Sequence, residues 1–95
     1  MKWKLKFAQS VKQDLKKINP VDTEMIFKSL EQFEQNFDEA YEKELISSSK
    51  IKKLKGEWEG FFRLRLRSYR VIYEKIGDEV IILVVRVAHR QGVYK

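Results

Sequence analysis

The chain has no cysteine, one histidine and one proline among its 95 residues. Without cysteine there is neither a disulfide nor a thiolate ligand, and one histidine is too little for a zinc site. No metal or other cofactor is therefore expected. No apolar run approaches the ~20 residues that span a bilayer. The start, Met1-Lys2-Trp3-Lys4-Leu5-Lys6-Phe7, alternates lysine with apolar residues and does not read as a signal peptide. A cytoplasmic protein with no membrane partner is expected. The last scarcity is positional: no arginine precedes position 63, and all six lie at or after it.

What is present argues for a folded protein. The hydrophobic fraction is 43%, with two Trp, four Tyr and six Phe, enough for one modest core. Residues 1–95 are expected to form a single domain. The formal net charge of +6 is unevenly spread. Basic blocks at 1–21 and 45–70 flank an acidic block at 22–44, so a polyanion would meet two basic regions. A plain solvated basic surface is the alternative.

From Phe62 to Arg67 apolar and basic residues alternate without a break. Period two is the strand period, placing Phe62, Leu64 and Leu66 on one face and Arg63, Arg65 and Arg67 on the other. A second apolar run begins at Val71 after a very short connection, so the segment reads as an antiparallel hairpin. Successive guanidinium groups would stand roughly 7 Å apart, close to the repeat of single-stranded phosphates. Arginine's flat fork suits phosphate, so its confinement to this half points to a site.

Around the hairpin the elements follow from spacing. Trp3, Leu5 and Phe7 give a first strand. Ser10 with Gln13 fits a capping box, a start one or two residues earlier being the alternative, and Val11, Leu15 and Ile18 continue at helical spacing. Asn19-Pro20 ends that helix and caps the next, in which Ile26, Leu30, Phe33 and Phe37 form an apolar stripe. Residues 38–50 could extend this second helix or form an acidic turn; because acids late in a helix oppose its dipole, an irregular segment with one helical turn is expected. Ser47-Ser48-Ser49 reads as a flexible link. Gly77-Asp78 signals a turn before the apolar run Val80 to Ala88, which reads as a central strand. The expected fold is α+β, in the order β-α-α-β-β-β. A two-helix hairpin would pack on one face of a four-stranded, mainly antiparallel sheet.

Lys53-Leu54-Lys55-Gly56, Phe62-Arg63-Leu64-Arg65, Tyr69-Arg70-Val71-Ile72-Tyr73-Glu74 and His89-Arg90-Gln91-Gly92-Val93-Tyr94 together resemble the RelE/ParE toxin superfamily. The likeness is closest to its RelE-type mRNA interferases. The resemblance spans nearly the whole chain and implies a toxin of a type II toxin–antitoxin system. It implies metal-independent endoribonuclease activity on mRNA in the ribosomal A site, by attack of a 2′-hydroxyl on the adjacent phosphate. A cognate antitoxin, mRNA and the ribosome are the implied partners. Arg63 and Arg65 match basic strand positions of the family, and Arg70 matches its phosphate-stabilising arginine. Arg90 matches a basic residue of the C-terminal cluster, Tyr94 the terminal aromatic that stacks on a base, and His89 a position where several relatives have histidine.

The reaction needs a proton acceptor, positive charge at the pentavalent phosphate, and a donor for the leaving 5′-oxygen. Arginine suits the second task and is poor at the first. His89 is therefore the candidate acid or base, with Lys55 second; a surface histidine is the alternative. The catalytic set read here is Arg65, Arg70, His89, Arg90 and Tyr94, with Lys53, Lys55, Arg63 and Arg67 binding RNA. For Arg67 a turn role competes. Many relatives have glycine in the hairpin turn where this chain has Arg67-Ser68. The competing functions are that of the ParE branch, a non-enzymatic gyrase inhibitor of the same fold, and that of an inactive relative whose arginines bind RNA phosphate without cleavage.

Overall fold

The computed structural model describes residues 2–89. In chain order it contains β1 (Lys4–Phe7), α1 (Gln9–Lys16), α2 (Pro20–Asn36), α3 (Glu39–Ser47), β2 (Ile51–Lys53), β3 (Phe62–Leu66), β4 (Tyr69–Ile76) and β5 (Ile81–His89). The strands form one sheet in the order β1-β5-β4-β3-β2, antiparallel except where β1 runs parallel to β5. The α+β class and the order of the expected elements hold, with α3 and the short edge strand β2 in addition.

The core lies between the helices and one face of the sheet. Val11 of α1 and Ile26, Leu30 and Phe33 of α2 are buried with Leu64, Val71, Tyr73, Ile82, Val84 and Val87. Asn19 caps α2 as expected, its side chain accepting from the Asp22 amide at 2.8 Å, with Pro20 in the first turn.

The acidic stretch expected to be irregular is α3. Its acids begin a helix instead of ending one. Phe37 terminates α2, the Asp38 side chain accepts from the Tyr41 amide at 2.7 Å, and Glu39 and Glu42 occupy the first turn, where the dipole favours them. Ser47 to Ser49 is likewise not a loose link. Ser49 at φ 66° stands where glycine usually closes a helix, with Ser49 N–H on the Ile46 carbonyl and Lys50 N–H on that of Leu45. Buried Glu42 then ties α3 to β4, accepting from the Tyr73 hydroxyl at 2.7 Å and from Lys75 Nζ at 2.6 Å. Burial, and next the Glu42 hydrogen bond, push the Tyr73 phenol far above its ordinary value.

The capping box expected at Ser10 does not form: α1 starts at Gln9 behind Ala8, and the Ser10 hydroxyl donates to the Val85 carbonyl. The reason is an edge. β1 pairs only with Ile81 to Val84 of β5, so beyond Val84 the β5 backbone needs other partners. α1 supplies them, Ser10 at Val85 and the buried Asp14 at the Val87 amide, 2.9 Å away. On its other side β5 carries one extra residue. Ile72 faces Arg86 and Tyr73 faces Val84, leaving Val85 as a bulge.

Candidate nucleic-acid interface

Directly paired residues of neighbouring strands project to the same side of a sheet. Leu64, Val71 and Val87 form one such row and face the helices. The adjacent rows, Arg65–Arg70–Ala88 and Arg63–Ile72–Arg86, therefore face away from them. Lys52 joins this open face through its pairing with Arg63, and Lys4 and Lys6 join it through Ile81 and Leu83. The opposing charge in these rows is Glu74, paired with Leu83. Buried Ile72 lies between Arg63 and Arg86 in register.

Arg65 and Arg70 are direct cross-strand partners. Arg65 is exposed and makes no side-chain hydrogen bond or ion pair among the described residues. The Arg70 guanidinium donates through Nη1 to the carbonyls of Arg67 and Tyr69, both at 3.1 Å, and so braces the hairpin turn. Arg63 Nη2 donates to the Ser49 carbonyl at 3.0 Å, while its Nε is buried with no partner among the described residues. Like charges placed directly opposite destabilise a sheet. An anion between the forks would relieve that repulsion.

The turn is the two-residue connection Arg67-Ser68 between the paired Leu66 and Tyr69. Arg67 has φ 56°, a left-handed conformation in which its Cβ is crowded. Strain is thus held where glycine would be relaxed.

The residues read from sequence as one site divide into three groups. Arg63, Arg65 and Arg70 share the open face. His89 pairs with Tyr69, whose hydroxyl donates to Asp22 of α2 at 2.7 Å, and so projects toward the helices. The two rings meet edge-on at 5.7 Å. His89 and Arg67 line a cavity of about 300 Å³ with Asp22, Met25 and Tyr69. The Asp22 hydrogen bond, before burial, raises the Tyr69 phenol. Lys53 pairs with Phe62 and so turns away from Arg63; with Lys55 it lines a separate cavity at the β2 end of the sheet. Arg90 and Tyr94 lie outside the described residues.

Two members of the site were not found from sequence. Lys52 was missed because β2 was; the inward Ile51 is the signal that would have turned Lys52 outward. Arg86 is held by Asp14, with Nε to Oδ2 at 2.9 Å and Nη2 to Oδ1 at 3.0 Å, and that hydrogen-bonded pair raises the guanidinium's pKa. A partner 72 residues away has no local signature. Among the described residues no three His, Cys, Asp or Glu side chains come together to hold a metal, and no helix is long and apolar enough to cross a membrane.

A helix-backed sheet whose open face carries several arginines defines a small α+β domain. The sequence profile of the ParE toxin of type II toxin–antitoxin systems, parDE, matches residues 5–94. A Methanocaldococcus jannaschii protein named as a candidate toxin, RelE1, is 30% identical over 95 residues, covering 100% of this chain and 98% of its own. Among solved structures, RelE-type chains of two archaeal complexes share the fold. The RelB–RelE antitoxin–toxin complex of Methanococcus jannaschii matches with TM-score 0.65 and 26% identity, covering 95% of each chain. The RelE–RelB complex of Pyrococcus horikoshii matches with TM-score 0.67 and 20% identity, covering 99% of this chain and 100% of that one. The chain belongs to the RelE/ParE toxin superfamily of type II toxin–antitoxin systems.

Proposed function

We infer that the protein is an endoribonuclease toxin that cuts mRNA, acting in the ribosomal A site as RelE-type toxins do. The observation that carries this reading is the direct opposition of Arg65 and Arg70, with Arg63 one row along the same face. In the proposed reaction the ribose 2′-oxygen bonds to the adjacent phosphorus and its proton passes to water. The P–O5′ bond then breaks and the leaving 5′-oxygen takes a proton from water, giving a 2′,3′-cyclic phosphate and a 5′-hydroxyl. Charge builds on the non-bridging oxygens at the pentavalent stage, and fixed guanidinium groups there are worth most in the transition state.

The division of the site bears on proton transfer. His89 projects from the opposite face to Arg65 and Arg70, so it does not converge with them on one phosphate. We assign it to the Tyr69 wall and rest the acceleration on arginine. Arg90 and Tyr94 stay in the proposal on their match to the family's C-terminal basic and aromatic residues. Lys52, beside Arg63, joins the RNA-binding set.

The antitoxin complexes among the structural relatives support a cognate antitoxin for this chain. A concentrated basic face fits an acidic antitoxin segment that displaces RNA.

The match to the ParE profile favours a second reading, a non-enzymatic inhibitor of gyrase. Induced expression followed by primer extension on a translated mRNA separates the two. Discrete cuts within codons, absent with Arg65→Ala, are expected. Intact mRNA with arrested DNA replication would establish the second reading instead.

A further inference from the structure

The cavity at the β2 end of the sheet has no role in the chemistry proposed above. It measures about 370 Å³ and is lined by Lys52, Lys53, Leu54, Lys55 and Trp58, a volume within the range of small-ligand sites. Trp58 closes a 3-10 turn at Gly56–Trp58 and is only half-buried. Its indole meets Phe61 edge-on at 5.4 Å, which braces the ring and leaves its faces unstacked by Phe61. The turn is shaped by Gly56 at φ 69° and Gly60 at φ 94°, conformations that side chains rarely adopt. Glu57 and Glu59 flank Trp58 in sequence, but neither lines the cavity. None of the three lysines forms a salt bridge among the described residues.

The cavity adjoins the arginine face at Lys52. Lys52 is both one of its walls and the cross-strand partner of Arg63. From Arg65 back along β3 to Phe61 is four residues, roughly 13 Å at the strand rise, a span suited to about two nucleotides of an extended strand. An aromatic face beside lysines at the end of a cationic track is the arrangement that holds single strands by stacking and charge.

We propose that the Lys52–Lys53–Lys55–Trp58 cavity is a base-binding subsite. Trp58 stacks on an unpaired base of single-stranded RNA about two nucleotides from the phosphate held by Arg65 and Arg70. Lys52, on the open face, meets the intervening backbone. The proposal rests on the RNA reading above and adds to it a place where the strand is gripped away from the scissile bond. Stacking is tolerant of base identity, so this subsite contributes grip and register more than sequence choice.

Trp3 and Trp58 are the two tryptophans of the chain, so Trp3→Phe leaves Trp58 as the single indole reporter. Full-length Trp3→Phe protein is titrated with a 2′-O-methyl hexaribonucleotide, which cannot be cut, while an end label reports binding by anisotropy. Saturable quenching of Trp58 that follows the anisotropy curve is expected. Trp58→Ala should weaken binding roughly 5- to 150-fold, the worth of one stacked base, without changing the salt slope; Trp58→Phe should restore most of it. An abasic residue walked along the oligonucleotide should weaken binding at one position in the Trp58 protein and not in Trp58→Ala. Binding with unchanged indole emission, and equal affinity for Trp58→Ala, would overturn the subsite while leaving the arginine face intact. No binding by anisotropy would overturn both readings. If Trp58→Ala does not fold, the abasic walk on the Trp3→Phe protein decides alone: no sensitive position refutes the subsite.

Discussion

Arg65 and Arg70 face each other directly across β3 and β4, two positive charges in a position where sheets usually place opposite signs. The pairing opposes stability and, in the proposed function, serves anion binding, so the two properties should separate on mutation. Arg65→Glu converts the pair to a cross-strand ion pair. It should raise stability by about 0.5 kcal/mol in urea denaturation while abolishing RNA binding. Arg65→Ala should lower the log–log salt slope of single-strand binding by about 0.7. An Arg65→Glu protein that still bound RNA would move the phosphate site elsewhere.

Because His89 projects to the helix side beside Tyr69, His89→Gln should keep the cleavage rate within about tenfold, short of the 10²–10⁴ of a positioned acid or base. The dependence of the rate on pH between about 5.5 and 8.5 should be the same in the variant and the wild type. Arg70→Ala should lose about 3 kcal/mol of transition-state stabilisation at every pH. Ribosome assays of both variants check this, and a rate loss of about 10²-fold or more in His89→Gln would return the proton to histidine.

The left-handed backbone of Arg67 predicts a stabilising substitution. Arg67→Gly removes about 1–2 kcal/mol of crowding and adds back about 0.5–1 kcal/mol of unfolded-state entropy. The denaturation midpoint should rise slightly at constant m-value. RNA binding should keep its Arg70 contribution, since Arg70 reaches the backbone carbonyl of Arg67 and not its side chain.

Tyr73 is fully buried and donates to Glu42. Its folded-state pKa lies above the unfolded value of about 10, so the protonated phenol's contribution is whole below pH 10 and is lost as pH climbs beyond it. Tyr73→Phe should be less stable by about 1 kcal/mol at neutral pH, and that gap should narrow above about pH 10. Urea midpoints of both proteins between pH 7 and 11 measure it. Glu42→Ala, which orphans the hydroxyl and Lys75 together, should cost about 2–4 kcal/mol.

Period-two patterning made β3 legible, and with it the outward turn of Arg63 and Arg65, because each side chain there obeys the same alternation. Asn19-Pro20 gave the start of α2 for an equally local reason. α3 was hidden by attribution: Asp38 to Glu44 look alike whether they end one helix or start another, and only the burial of Phe37 decides between them. The convergence of His89 with the arginines was expected from family positions. Its separation depends on register, which no stretch of β5 reveals by itself. Asp14 looked like one more polar residue on a lysine-rich helix, because the β5 edge it serves lies some seventy residues away.

Val85, the unpaired residue of β5, has a consequence larger than the local bend. It inverts the parity of everything after it. On a regular ladder Arg86 would point into the helices beside buried apolar side chains, Val87 would leave the core, and His89 would stand with Arg70. The extra residue keeps Val84 and Val87 both inward and sends Arg86 to the open face, from which it reaches round to Asp14. Which ionisable groups share a surface in this protein is thus decided by counting, odd or even, at a position that carries no chemistry of its own.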